Sequence, residues 1–226
     1  MKLTLQELVV QLEKLYGNPT RTKRDAEGAV HFQPDLIDEL IGTILSQNTT
    51  DRNSSRALQS LKQCFPTWER VLSAPTRKLT SAIKIGGLAN TKAKRIKTIL
   101  AELKKKTGQL SLAHLNEMTT EDAMNYLQTF KGVGFKTAAC VLMFGLGREI
   151  CPVDTHIHRI LNRLGLLSTK HADETFLQLQ PLIPKGKAYS LHINLIRHGK
   201  QVCKAQTPNC VQCSLAEACT FARAHD

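Results

Sequence analysis

Residues 127–142 read LQTFKGVGFKTAACVL, and Val153-Asp154-Thr155-His156 follow shortly afterwards. An apolar helical run stops at Phe130, Gly132-Val133-Gly134 makes a tight turn, and a second apolar run begins at Phe135. Two glycines one residue apart allow positive φ and leave no Cβ in the way of a ligand. The second helix then opens with unpaired N–H groups, which suit an anion. A helix–Gly-x-Gly–helix unit of this kind can hold a nucleic-acid phosphate by backbone alone, so Gly132, Val133 and Gly134 are candidate DNA contacts. Lys136 falls in the first turn of the second helix, and Asp154 stands where the next helix should begin. That pair is the candidate reaction centre.

Outward from the hairpin, helical periodicity dominates and Gly or Pro falls between segments. The spacing predicts helices over 4–16, 36–45, 52–64, 67–73, 77–83 and 91–106, then 120–129, 135–146, 154–164, 171–182 and 187–199. No stretch alternates well enough for a strand, so the expected fold is all-α. A polar, basic connector is expected at 21–33. Two short segments interrupt the helices: Ser46-Gln47-Asn48-Thr49-Thr50-Asp51, and Ile85-Gly86-Gly87-Leu88-Ala89-Asn90, read as a flexible loop with a projecting apolar residue.

The 226 residues carry 31 Lys and Arg against 19 Asp and Glu, a net charge of +12 that favours a polyanionic partner. Lys92, Lys94, Arg95 and Lys97 form one basic group, and Lys104 to Lys106 another. The N-terminal stretch reads as an amphipathic helix and not as a signal peptide, and no apolar run approaches the ~18 residues a membrane span needs. An intracellular, nucleoid-associated protein with no membrane partner is expected.

Seven cysteines are present, and Cys203, Cys210, Cys213 and Cys219 crowd into the last 24 residues with x6, x2 and x5 between them. Four thiolates so close can surround one tetrahedral zinc or one cubane cluster. Zinc modules usually pair their cysteines closely twice, whereas here only Cys210 and Cys213 do so. Cys64, Cys140 and Cys151 lie in or beside apolar segments and read as buried thiols. His156 and His158 are two residues apart, which on a helix puts them on different faces and argues against a shared metal.

FKGVGFKTAACVL followed by VDTHIHRILNRLG resembles the helix–hairpin–helix DNA glycosylases of the endonuclease III family, and the cysteine spacing resembles that family's iron–sulfur loop. The resemblance covers nearly the whole chain. It implies a two-lobed fold: a six-helix barrel with the hairpin over 29–148, and an iron–sulfur lobe built from 1–28 and 149–226, with DNA running between them. It implies a 4Fe–4S cluster on Cys203, Cys210, Cys213 and Cys219, which would staple a loop poor in apolar residues and present Lys200 and Lys204 to DNA. Lys136 becomes the nucleophile and Asp154 the carboxylate that assists it.

The same resemblance puts a polar plug and an apolar wedge into the DNA stack when a damaged nucleotide is flipped out. The matching positions are Asn48, with Gln47 as its alternative, and Leu88, whose plainer reading is a buried loop anchor. A lysine nucleophile implies a bifunctional enzyme, a glycosylase with abasic-site lyase activity that nicks the strand by β-elimination. The expected substrate is double-stranded DNA bearing oxidised pyrimidines or abasic sites, bound by a monomer. The alternatives are a uracil or thymine mismatch glycosylase, or a non-catalytic iron–sulfur DNA-binding protein.

Overall fold

The computed structural model describes residues 3–21 and 35–224. The connector expected at 21–33 therefore lies, apart from Arg21, outside the described residues. The described residues contain helices and no strand. The chain forms two compact units, one from Gln33–Leu146 and one from Met1–Phe32 with Gly147–Asp226.

The first unit is organised around α2 (Leu36–Ser46). Leu36, Ile37, Leu40, Ile41, Ile44 and Leu45 are all buried, so this helix is apolar nearly all round, as a helix inside a core must be. Asp35 starts it by accepting from the Ile37 amide at 2.9 Å, and its other oxygen accepts from the Trp68 indole at 3.1 Å. Around α2 pack α3 (Asp51–Cys64), α6 (Ala89–Thr107) and α8 (Phe135–Cys140). The short helices α4 (Trp68–Ser73) and α5 (Thr76–Ala82) pack on α6. Helix α7 (Thr120–Gln128) leads into the hairpin and packs on α8. Thr50, Thr67 and Thr119 cap α3, α4 and α7 through their hydroxyls, so each start was written locally.

Three local expectations change. Residues 85–90 are not an open loop: a 3-10 turn covers Lys84–Gly86 and α6 begins at Ala89. Helix α8 continues as a π-helical stretch over Val141–Gly145. At its end a Cβ on Gly145 would lie 2.5 Å from Leu36 Cδ2, so glycine lets α2 approach. Cys64 is exposed, whereas Cys140 and Cys151 are buried as expected. At the last residue of α3, Cys64 lies three positions beyond the buried Leu61, which is the last residue of that helix to face the core.

The second unit joins α1 (Leu5–Tyr16) to α9 (Thr155–Arg163), α10 (Ala172–Leu179), α11 (Ala188–Gln201) and α12 (Thr220–Arg223). Helix α11 packs against both α1 and α9. Leu8, Val9 and Leu12 supply the buried face of α1, with Ile157, Ile160 and Leu161 from α9 and Leu191 and Leu195 from α11. Polar ties fix α1 in register: Glu13 accepts from Lys187 Nζ at 3.0 Å and from the Ser190 hydroxyl at 2.7 Å. No helix among the described residues is long and apolar enough to cross a membrane.

Candidate active site and metal centre

The hairpin forms as its glycines require. Gly132 has φ +85°, and a Cβ there would lie 2.5 Å from Arg95 Nε, so both backbone and space demand glycine. The Val133 amide donates to Phe130 O at 3.0 Å, and both side chains are buried, which anchors the turn. Gly134 is the exposed N-cap of α8, with nothing within 4 Å of where its Cβ would be. No side chain caps this helix. Lys136 follows in the first turn, half-buried, with no hydrogen bond or ion pair to any described residue.

Gln47 and Asn48 part company. Gln47 accepts from Arg95 NH1 at 2.6 Å, and its Nε2 reaches Thr137 Oγ1 at 3.4 Å, beside Lys136 in sequence. It is tied into the protein between α6 and α8. Asn48 is exposed and stands at φ +52°. Leu88 is 56% exposed at φ +48°, which removes the reading of a buried anchor. Among the described residues these two are the only non-glycine residues with positive φ. A leucine held there stores strain, which persists where the surroundings dictate it and is common at ligand-contacting sites.

The basic group on α6 is also not what its composition suggested. Lys94 is exposed, but Lys92 is 2% exposed and donates from Nζ to Leu45 O at 2.8 Å and Gly86 O at 2.7 Å. Burial lowers its pKa from the ordinary lysine value. The signal was present: position 92 falls four before Ile96 and seven before Ile99, on the buried stripe of the helix. Arg95 and Thr137 were likewise not singled out as site residues, and only the folded chain brings them to Gln47.

Asp154 lies in the second unit and is the N-cap of α9, its Oδ1 accepting from the His156 and Ile157 amides at 2.9 Å each. Capping therefore uses one oxygen and leaves the other without a hydrogen-bond partner among the described residues. His156 and His158 are engaged separately, by Arg159 NH2 at 3.0 Å and Thr175 Oγ1 at 2.6 Å.

Cys203, Cys210, Cys213 and Cys219 line a single cavity beside α9 and α11. Burial raises the Cys213 thiol pKa, a backbone hydrogen bond at Leu215 lowers it, and the neighbouring Cys203, Cys219 and Cys210 sulfurs raise it again. Four sulfurs close enough to repel one another are a donor set for a cation. Among the described residues no three His, Cys, Asp or Glu side chains converge on a single-ion site. Two arginines tie this loop to α9 through its backbone: Arg159 donates to Cys203 O at 2.7 Å and Gly199 O at 3.2 Å, and Arg163 to Lys204 O and Ala205 O at 2.7 Å each. Arg163 also reaches Cys203 Sγ at 3.4 Å, and Tyr16 OH meets His198 Nδ1 at 2.9 Å while His198 Nε2 lies 3.7 Å from Cys213 Sγ. Lys200 and Lys204 are exposed.

Residues 41–185 match the HhH-GPD superfamily of base excision DNA repair proteins. The chain is 34% identical over 193 residues to the endonuclease III of Thermotoga maritima, an alignment covering 85% of this chain and 86% of the relative. It is 43% identical over 166 residues to a candidate DNA glycosylase of Arabidopsis thaliana, covering 73% of this chain and 57% of that longer protein. In three dimensions it matches a trapped covalent intermediate of endonuclease III with DNA, with a TM-score of 0.79 and 24% identity over 99% of both chains. The hairpin, the all-helical fold and these relatives converge: the chain belongs to the HhH-GPD superfamily of base excision DNA repair proteins, and within it to the endonuclease III family.

Proposed function

We propose that Lys136 is the nucleophile and Asp154 the assisting carboxylate of this base excision repair glycosylase and lyase, and that its substrates are oxidised pyrimidines and abasic sites in double-stranded DNA. The carrying observation is Lys136 itself, an amine without a protein partner in the first turn of a helix entered through an open glycine. The neutral amine attacks the sugar C1′ as the bond to the base breaks, and the unpaired Asp154 oxygen stabilises the positive character on the sugar and takes the amine proton. Ring opening leaves a Schiff base between Lys136 and the sugar. Loss of a C2′ proton with departure of the 3′ phosphate then nicks the strand.

Gly132, Val133 and Gly134 hold a phosphate in this reading, Asn48 fills the space of the flipped base and Leu88 wedges the stack. The anchoring of Gln47 by Arg95 supports Asn48 over Gln47 as the plug. Arg56 and Lys84 line a polar trough beside the wedge turn with no acidic residue among its described lining, which suits a phosphate backbone. Residues 29–148 form the hairpin lobe, and 1–28 with 149–226 the cluster lobe of a monomer acting on DNA in the cell interior.

The four cysteines would hold a 4Fe–4S cluster. A single tetrahedral zinc brings its sulfurs to within about 3.8 Å of one another, whereas a cubane takes one sulfur at each of four separate irons. Four cysteines lining one cavity supply the four thiolates such a cluster takes. The group's contribution when bound would be to cross-link the loop between α11 and α12. Cys213→Ser is therefore expected to lose bound iron and sulfide, lower the melting temperature, and weaken DNA binding about ten-fold or more. Iron analysis, calorimetry and a binding titration check this.

Borohydride trapping tests the whole reading, on duplexes bearing thymine glycol, uracil, or an abasic site. A covalent band on thymine glycol is the expected result. A band on uracil instead points to the mismatch glycosylase, and a band on the abasic duplex alone keeps the lyase while removing the pyrimidine assignment. Tight binding with no band on any duplex overturns the catalytic reading in favour of a binding module.

A further inference from the structure

Lys92 is buried at the head of a basic run, and its ammonium is spent on two main-chain carbonyls. Leu45 O belongs to the last turn of α2, where carbonyls lack helical partners and carry the negative end of the helix dipole. Gly86 O is the last carbonyl of the 3-10 turn over Lys84–Gly86. Asn48 lies three residues beyond the first carbonyl and Leu88 two beyond the second. Among the described residues these are the two non-glycine positions held at positive φ. One charge thus grips the base of both loops. The turn also lies close against α3 and the end of α2: a Cβ on Gly86 would lie 3.1 Å from Ala57 Cβ in α3, tighter than an ordinary contact, and 3.9 Å from Leu45 O.

An apolar side chain of similar length, such as methionine, could fill this space without desolvating a charge, so packing alone does not account for a lysine here. What methionine could not do is tie two carbonyls from segments some 40 residues apart to one point. We infer that Lys92 is a positioning residue that locks the plug and wedge loops together, so that Asn48 and Leu88 enter the DNA stack as one preorganised pair. This rests on the reading of those two residues given under Proposed function. Loops free to move separately would have to be ordered during base flipping, and a displacement of about 1 Å at such a site is worth up to about 100-fold in rate. Lys92 itself touches no DNA, and its effect passes through Asn48 and Leu88.

A double-mutant cycle decides the matter, using the full chain and single-turnover excision on the lesion duplex. Lys92→Met is expected to slow excision by about ten-fold or more, and to slow cleavage of a preformed abasic duplex much less, because no base has to be unstacked there. In a Leu88→Ala background, Lys92→Met should add less than about two-fold, since residues acting through one step are not additive. Leu61→Ala, a core truncation in α3, serves as the comparison and should multiply with Leu88→Ala. Gly86→Ala, which pushes the wedge turn off Ala57 while leaving the ammonium in place, should behave as Lys92→Met does and replaces it if that variant does not fold. Full multiplication of Lys92→Met with Leu88→Ala overturns the inference, as does an equal fall in excision and abasic cleavage. If Leu88→Ala alone leaves excision unaltered, it is the wedge assignment that fails.

Discussion

Lys136→Ala should yield no borohydride-trapped adduct on any duplex and should slow strand nicking by about 10³-fold or more, the scale on which loss of a covalent nucleophile is felt. The fold should survive, because the Lys136 side chain is half-buried and forms no hydrogen bond or ion pair with a described residue. DNA affinity should fall little, since in the proposed reading phosphate is held by the backbone of Gly132 and Gly134. Lys136→Arg should not restore trapping, because a guanidinium keeps its proton and cannot attack C1′. The measurement is a denaturing gel after borohydride, with a binding titration beside it. A covalent band that persists in Lys136→Ala would move the nucleophile elsewhere, and Lys131, exposed on the same hairpin, would be the next residue to replace.

Asp154→Asn should reduce base excision by about 10²–10⁴-fold, the range for removing a positioned acid or base. Stability should hardly change, because asparagine retains the oxygen that accepts from the His156 and Ile157 amides. Asp154→Ala should lose the same activity and, in addition, about 1 kcal/mol of stability with the cap. The two variants separate chemistry from capping: equal activity with unequal melting temperatures is the expected pattern. If Asp154→Asn excises at the wild-type rate while Asp154→Ala does not, the aspartate is a cap alone. Single-turnover kinetics and thermal unfolding on the three proteins give the answer.

Much of this protein was legible in its residues because the information is local. The turn at Gly132-Val133-Gly134 needs glycine at Gly132, the caps at Thr50, Thr67, Thr119 and Asp154 need one hydroxyl or carboxylate before an amide, and each helix shows its buried stripe within a few turns. The four cysteines within 17 residues are likewise close in sequence, and they line one cavity. What only the tertiary structure decided depends on segments far apart in sequence. Lys92 looked like one more solvated cation in a basic run, and became a buried tie because Leu45 O and Gly86 O arrive beside it. Gln47 and Asn48 are adjacent and chemically alike, yet Arg95 holds the first and the left-handed backbone turns the second outward. Leu88 is exposed because the turn before it is seated against α2 and α3, not because leucine prefers water. Periodicity and capping act over one or two helical turns, whereas the cost of burying a charge, or of holding a leucine at positive φ, is offset only by partners that folding delivers from elsewhere.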